Sequence, residues 1–190
     1  SRMSLIPFGF WAASGAGGAG AFDLLETQTL ASNAASITFT ALDTLAAGYQ
    51  HLQIRFAARS ADSVTGARDL GIRLNGDTGT NYSYHNLRGT GSAVQALGGS
   101  TTNVMFQEEV FVGNSEASGI FGSGVVDILD YNATSKFTTI RTLLGYNASS
   151  SRLALSSGSW RNTDAVTSVL LYPNSGSILA GSRFSIYGRA

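Results

Sequence analysis

The sequence predicts an all-β chain: a two-sheet antiparallel β-sandwich of jelly-roll type, preceded by an extended N-terminal arm. Three observations carry that prediction. Charged residues make up 13% of the 190, against about 25% in an ordinary soluble domain, while Ser (25), Thr (17) and Gly (23) dominate. Long solvated helices need Glu, Lys and Arg along their outer faces, so this hydroxyl-rich chain suits strands. From Phe22 onward, short runs of β-branched and aromatic residues alternate with Gly, Asn, Asp and Ser clusters, the pattern of many short strands. No helical period lasts beyond about two turns, and with Pro7 and Pro173 the only prolines, little interrupts strand ladders. A chain of this length fits one domain and buries a core without metals or disulfides.

Residues 1–21 read as an apolar arm with a Gly/Ala tether, and residues 22–190 as a single β-sandwich domain. Ser1-Arg2 reads as an addition ahead of a start at Met3. Arg2, the apolar stretch to Ala13 and the small residues after it resemble a short secretory signal, but Pro7 and Gly9 break the continuous apolar core that a signal needs. The preferred reading is a peptide, "LIPFGFW", on a flexible tether. Such a peptide needs a surface to bury against, so Leu5, Ile6, Phe8, Phe10 and Trp11 are the predicted docking residues. Burying two or three of them contributes on the order of 5 kcal/mol before ordering costs.

Along the domain the count is about ten strands. "SITFTAL" turns Ile37 and Phe39 inward. "HLQIRFA" places Leu52, Ile54 and Phe56 on one face and His51, Gln53 and Arg55 on the other; "DLGIRLN" does the same with Leu70, Ile72 and Leu74. Asn75-Gly76, directly after that alternation, is the strongest hairpin signal in the chain. "GSAVQALGG" could form a single helical turn. In "VMFQEEVFVG" the parity of Val104, Phe106, Val110 and Val112 puts Glu108 on the apolar face. Either a bulge between Glu108 and Glu109 resets the register, the favoured reading, or Glu108 is buried with an arginine partner. "GVVDILDY", "FTTIRTLLGY" and "TSVLLYP" are apolar on both faces, which places them centrally in a sheet or at a subunit contact. "SRFSIYG" completes the core with Phe184 and Ile186.

Composition excludes several functions. Twelve basic residues balance twelve acidic ones and Lys136 is the only lysine, so no basic stripe exists for nucleic acid. No run approaches the ~18 apolar residues of a membrane helix. Without cysteine there is no disulfide framework and no thiolate metal site. Serine is plentiful, but no G-x-S-x-G elbow is present and His51 and His85 are the only imidazole bases; His51 reads as an outward residue at a strand start. Two histidines without metal spacing argue against zinc. A calcium site would draw on Asp77, Thr78 and Asn81, with too few carboxylates. "SGAGGAG" follows no strand and lacks a P-loop lysine. Asp127 and Asp130 are three apart on a strand and project to opposite faces, unlike a glycosidase pair; one caps a strand end and the other meets an arginine. The N-x-[ST] matches at Asn81, Asn132 and Asn147 are at chance level in so polar a chain. No enzyme, cofactor or metal is expected.

The loop "RLNGDTGTNYSYHNLRG" stands apart from these exclusions. Tyr82 and Tyr84, with Tyr131 and Tyr146, offer amphipathic rings that stack on a sugar or fill a protein interface, or else pack over the sheet edge. Tyr82, Tyr84 and His85 are therefore the candidate interface or ligand contacts. Trp160 belongs to the core or to a subunit contact.

The series "YQHLQIR", "IRLNGDTGTNYSYHNLRG", "VVDILDY", "KFTTIRTLLGY", "SGSWRNTDAVTSVLL" and "AGSRFSIYG" resembles a recurrent group of proteins about the length of this chain, encoded in tailed-phage structural gene clusters. The resemblance runs from Phe22 to Gly188. It implies a virion component of decoration, collar or tail-fibre type, assembled in the host cytoplasm, and carries no catalytic residues. The expectation is a surface-mounted module anchored by its arm to other virion proteins, with a homotrimer as the first guess for self-association. The alternatives are a receptor- or glycan-binding tail-fibre head and, third, an esterase or glycosidase.

Overall fold

The computed structural model describes residues 21–190, which form two packed antiparallel sheets. The predicted docking residues Leu5, Ile6, Phe8, Phe10 and Trp11 lie outside the described residues. The strands are β1 (Asp23–Thr29), β2 (Ile37–Phe39), β3 (His51–Ala58), β4 (Ala67–Leu74), β5 (Tyr82–Gly89), β6 (Val94–Thr102), β7 (Met105–Val112), β8 (Gly122–Leu129), β9 (Thr138–Asn147), β10 (Ser151–Trp160), β11 (Val169–Pro173) and β12 (Arg183–Arg189). One short helix, α1 (Leu42–Leu45), is the only one among the described residues, and no helix there is long and apolar enough to cross a membrane.

The large sheet runs β1-β12-β3-β8-β9-β10-β5-β6 and the small one β2-β11-β4-β7. The pairs β2–β11, β3–β8, β4–β7 and β5–β6 nest one inside another. The β9–β10 hairpin is let into the large sheet between β8 and β5, and β1 and β12 extend it beyond β3. This is the expected two-sheet antiparallel sandwich. Strict alternation explains most of it: Leu52, Ile54 and Phe56 of β3, Leu70, Ile72 and Leu74 of β4, and Phe184 and Ile186 of β12 all enter one core. Phe56, Phe111 and Phe184 stack at its centre, with centroids 5.3 to 6.4 Å apart.

Three expectations are corrected. Residues Leu74 to Asp77 do make the tight turn: Asp77 N donates to Leu74 O at 2.9 Å, and both Asn75 (φ 52°) and Gly76 (φ 65°) are left-handed, as a type I′ turn requires. But it closes no hairpin. β4 pairs with β7 and β11 in the small sheet, and β5 with β6 and β10 in the large one. Local turn chemistry sets dihedral angles, not partners, and residues 77–81 carry the chain between layers. Asn75 then anchors the approach to β11, its Oδ1 accepting from Thr167 N and Ser168 N at 2.8 and 3.1 Å.

The stretch "GSAVQALGG" makes no helical turn; Val94 onward is strand β6. β6 is an edge strand exposed along nearly its whole length, so no buried face imposes an alternating pattern on it.

Glu108 is the third case. The ladder of β7 with β4 does slip, at register shifts on either side of the Asp69–Glu109 pair, yet Glu108 is only 2% exposed. Its carboxylate accepts from Arg88 Nη1 at 2.9 Å, Arg152 Nη1 at 3.1 Å and Asn86 Nδ2 at 3.3 Å. The bulge does not free the side chain, and two arginines from the large sheet offset its burial.

Candidate functional site

The inner face of the large sheet is core, and its outer face is where side chains meet solvent. Residues directly opposite in adjacent strands share a face. One outward row crosses the whole sheet: Thr27, Ser185, Arg55, Val125, Leu143, Leu155, Leu87 and Ala96. Its far half is apolar and exposed, with Leu143 at 48%, Leu155 at 55% and Leu87 at 49%. Leu153, one step along β10 on the same face, is 62% exposed between Gly145 and Gly89.

β10 therefore reads inside out. Between Arg152 and Trp160, which point inward at its two ends, its inward positions hold only Ala154, Ser156 and Gly158, while its outward ones hold the two leucines. At Gly158 the inner side has no room for more: a Cβ there would collide with the Met105 sulfur. Crowding explains the small residues within. It does not explain large apolar ones outside, where Ser or Thr would serve a monomer.

The other half of this face is polar and tightly bonded. Asp127 accepts from Gln53 Nε2 at 2.7 Å and pairs with Arg141 at 3.6 Å and Arg189 at 3.7 Å. Arg55 Nε donates to Gln53 Oε1 at 2.6 Å. Phe22, the residue before β1, lies over this half, its ring centroid 4.8 Å from Arg55 Cζ and 4.7 Å from Arg189 Cζ.

Beside the leucines are two adjoining hollows of about 600 and 620 Å³. The first is lined by Leu87, Ala96, Leu155, Arg141 and Ser157, the second by Ser83, Ser100, Thr139, Ser157 and Ser159, and His85 borders both. Gly98 leaves the space for the His85 ring here, since a Cβ on it would collide with that ring, and Gly99 does the same for Tyr84 on the opposite face.

Of the three candidate contacts, His85 is exposed on this face, whereas Tyr84, opposite the inward Gly158, is half-buried on the other face of the sheet. Tyr82 is not available. It is fully buried, its hydroxyl accepting from Leu74 N at 3.1 Å and donating to Asp77 O at 3.1 Å, and burial pushes its phenol up to about 12. Tyr131 and Tyr146 are likewise buried, at 2% and 7%. Trp160 belongs to the core, 1% exposed, with Nε1 donating to Asp77 Oδ2 at 2.7 Å.

Asp77 also accepts from Gly79 N at 2.7 Å and Asn81 Nδ2 at 2.9 Å. The Trp160 bond first, then Asn81, holds its carboxyl below the usual range. With its oxygens committed to protein donors and the Asn81 amide nitrogen turned toward it, this loop is not arranged as a calcium cage. Among the described residues no cluster of three His, Asp or Glu side chains converges as a metal site. Ser157 lies across from His85 in the ladder, but hydroxyl and imidazole share no hydrogen bond.

His51 sits at the start of β3, its Nδ1 accepting from Asp130 N at 2.9 Å. Asp130, left-handed at the end of β8 (φ 47°), accepts from Gln50 and is paired with Lys136, a bond that lowers its carboxyl. The two aspartates thus hold the structural posts expected of them. Sequence reading missed the leucines of the outer face; the signal was present, since in "SRLALSSGSW" Leu153 and Leu155 have the opposite parity to Trp160 and alternate with Ala154 and Ser156.

No protein-family model matches the chain, and no curated protein matches it.

Proposed function

We propose that the chain is a non-enzymatic structural module of a tailed-bacteriophage particle, attached through its N-terminal arm and packing against other virion proteins or copies of itself. The observation that carries this reading is the inverted β10, which sets Leu153 and Leu155 beside Leu143 and Leu87 on an exposed sheet face. An apolar stripe rimmed by polar groups is the anatomy of a protein contact. The resemblance noted above supports placing that contact in a virion. The nested strand pairs support reading the sandwich as a jelly roll, enlarged by the β9–β10 hairpin and by β1 and β12. Three copies about one axis is the arrangement we favour.

Deletion of residues 3–20 tests the role of the arm. The shortened chain should fold, judged by its β-type circular dichroism, and fail to join particles; undiminished incorporation overturns the assignment. A glycan-binding head is the second reading, favoured by the hydroxyl-lined hollow beside His85. A glycan array on the intact chain separates the two, because a decoration module gives no selective signal.

A further inference from the structure

We propose that in the free subunit the outer face of the large sheet is covered by the chain's own N-terminal segment, with Leu5–Trp11 seated on Leu143, Leu155 and Leu87. Three observations point to this occupant. Nothing among the described residues covers those leucines, which remain about half exposed. The chain itself contains one apolar segment outside the described residues, and from Met3 to Gly20 it has no charged residue, as seating on an uncharged stripe requires. Finally, Phe22, the residue before β1, already touches this face. Its ring lies on the outer face over Arg189 of β12 and Arg55 of β3, and Arg55 stands in the same row as Val125, Leu143 and Leu155.

The reach is sufficient. β10 is five strands from β1 in the sheet order and the leucine row lies about four residues along the strands from Phe22, together about 27 Å at the usual strand spacing and rise. Residues 12–21 of the tether span at most about 33 Å when extended. A tether of this kind holds its segment at an effective concentration in the millimolar range, so in dilute solution the chain's own face is filled before a neighbour's. Ile6, Phe8 and Phe10 share one parity in the segment, which suits a strip of side chains lying against a row of leucines.

The inference does not depend on the particle reading. Loss of particle incorporation on deleting the arm, without any contact to this face, would leave that reading standing and remove this one.

The chain has no cysteine, so an introduced pair reports unambiguously. In the full chain carrying Phe8→Cys and Leu155→Cys, mild oxidation should give an intrachain disulfide, seen as a monomer of altered mobility on a non-reducing gel. A control pair, Phe8→Cys with Thr38→Cys on the exposed side of β2, should not form one. Interchain dimers would mean that the segment seats on a neighbour, and pairing at Thr38 as frequent as at Leu155 would mean that it seats elsewhere; each overturns the proposal. An alkylation readout covers the case in which the pair is badly aligned. A single Leu155→Cys should react several-fold faster once Phe8, Phe10 and Trp11 are changed to Ser, and an unchanged rate overturns the proposal as well.

Discussion

At Glu108 the parity of a strand and the chemistry of a carboxylate disagree, and the molecule satisfies both by bringing two arginines to it. Parity in the sequence was enough to mark the conflict. It could not show the outcome, because Arg88 and Arg152 come from β5 and β10 in the other sheet, and no local pattern encodes that meeting. The same cluster leaves a cost on Asp69. This carboxyl is pushed up to about 6, first by burial and then by the charges of Glu109 and Glu108, against the opposing pull of Arg152 and Arg88. A carboxyl whose folded pKa lies above its unfolded value of about 3.9 binds more protons folded than unfolded between those two pH values. Stability therefore falls as pH rises from about 4 to about 6, and the loss is complete above that. Asp69→Asn keeps an oxygen to accept from Asn174 Nδ2, which bonds Asp69 at 2.9 Å. It should stabilise the protein at pH 7 by about 1 to 2 kcal/mol after allowing for solvent screening, and leave it unchanged near pH 3.5. Urea titrations at the two pH values check this; equal effects at both would mean the charge is not responsible.

At the scale of elements, legibility followed burial. β3, β4 and β12 were readable because one face is core and the other is not, so their sequences alternate. Edge strands β1 and β6 have no such constraint, and the twelve strands among the described residues exceed the expected count of about ten. The middle of β10 alternates with reversed polarity, Leu153 and Leu155 outward against Ala154 and Ser156, so a reading that assumes large residues point inward misplaces it there. The turn at Asn75-Gly76 shows the complementary limit: its dihedral angles were predictable and its partners were not. Gly76 is left-handed with open space around its Cβ position, so a substitution there meets backbone strain alone. Gly76→Val should cost about 1 to 2 kcal/mol, whereas Gly76→Asn should cost only a few tenths because Asn tolerates that region. Thermal unfolding of the two variants distinguishes strain from packing; equal losses would point to packing.

For the whole molecule, the organising feature is a large sheet whose outer surface is divided. The half near β12 and β3 is locked by Asp127, Gln53, Arg55 and Arg189, and the half over β9, β10 and β5 presents leucines. A core drawn from both sheets makes the sandwich independent of what occupies that surface. A chain of residues 21–190 should accordingly fold but self-associate, and Leu143→Ser with Leu155→Ser should return it to a monomer. Sedimentation velocity over a concentration series checks this, and a truncated chain that stays monomeric throughout would show that the leucines need no cover. The scarcity of charge has a further use. Lys136, on the turn after β8 with its ammonium paired to Asp130 and 56% exposed, supplies the only side-chain amine in the chain. Each copy therefore carries one lysine label at one end of the sandwich, and energy transfer between labelled copies reports whether those ends meet when the chain self-associates.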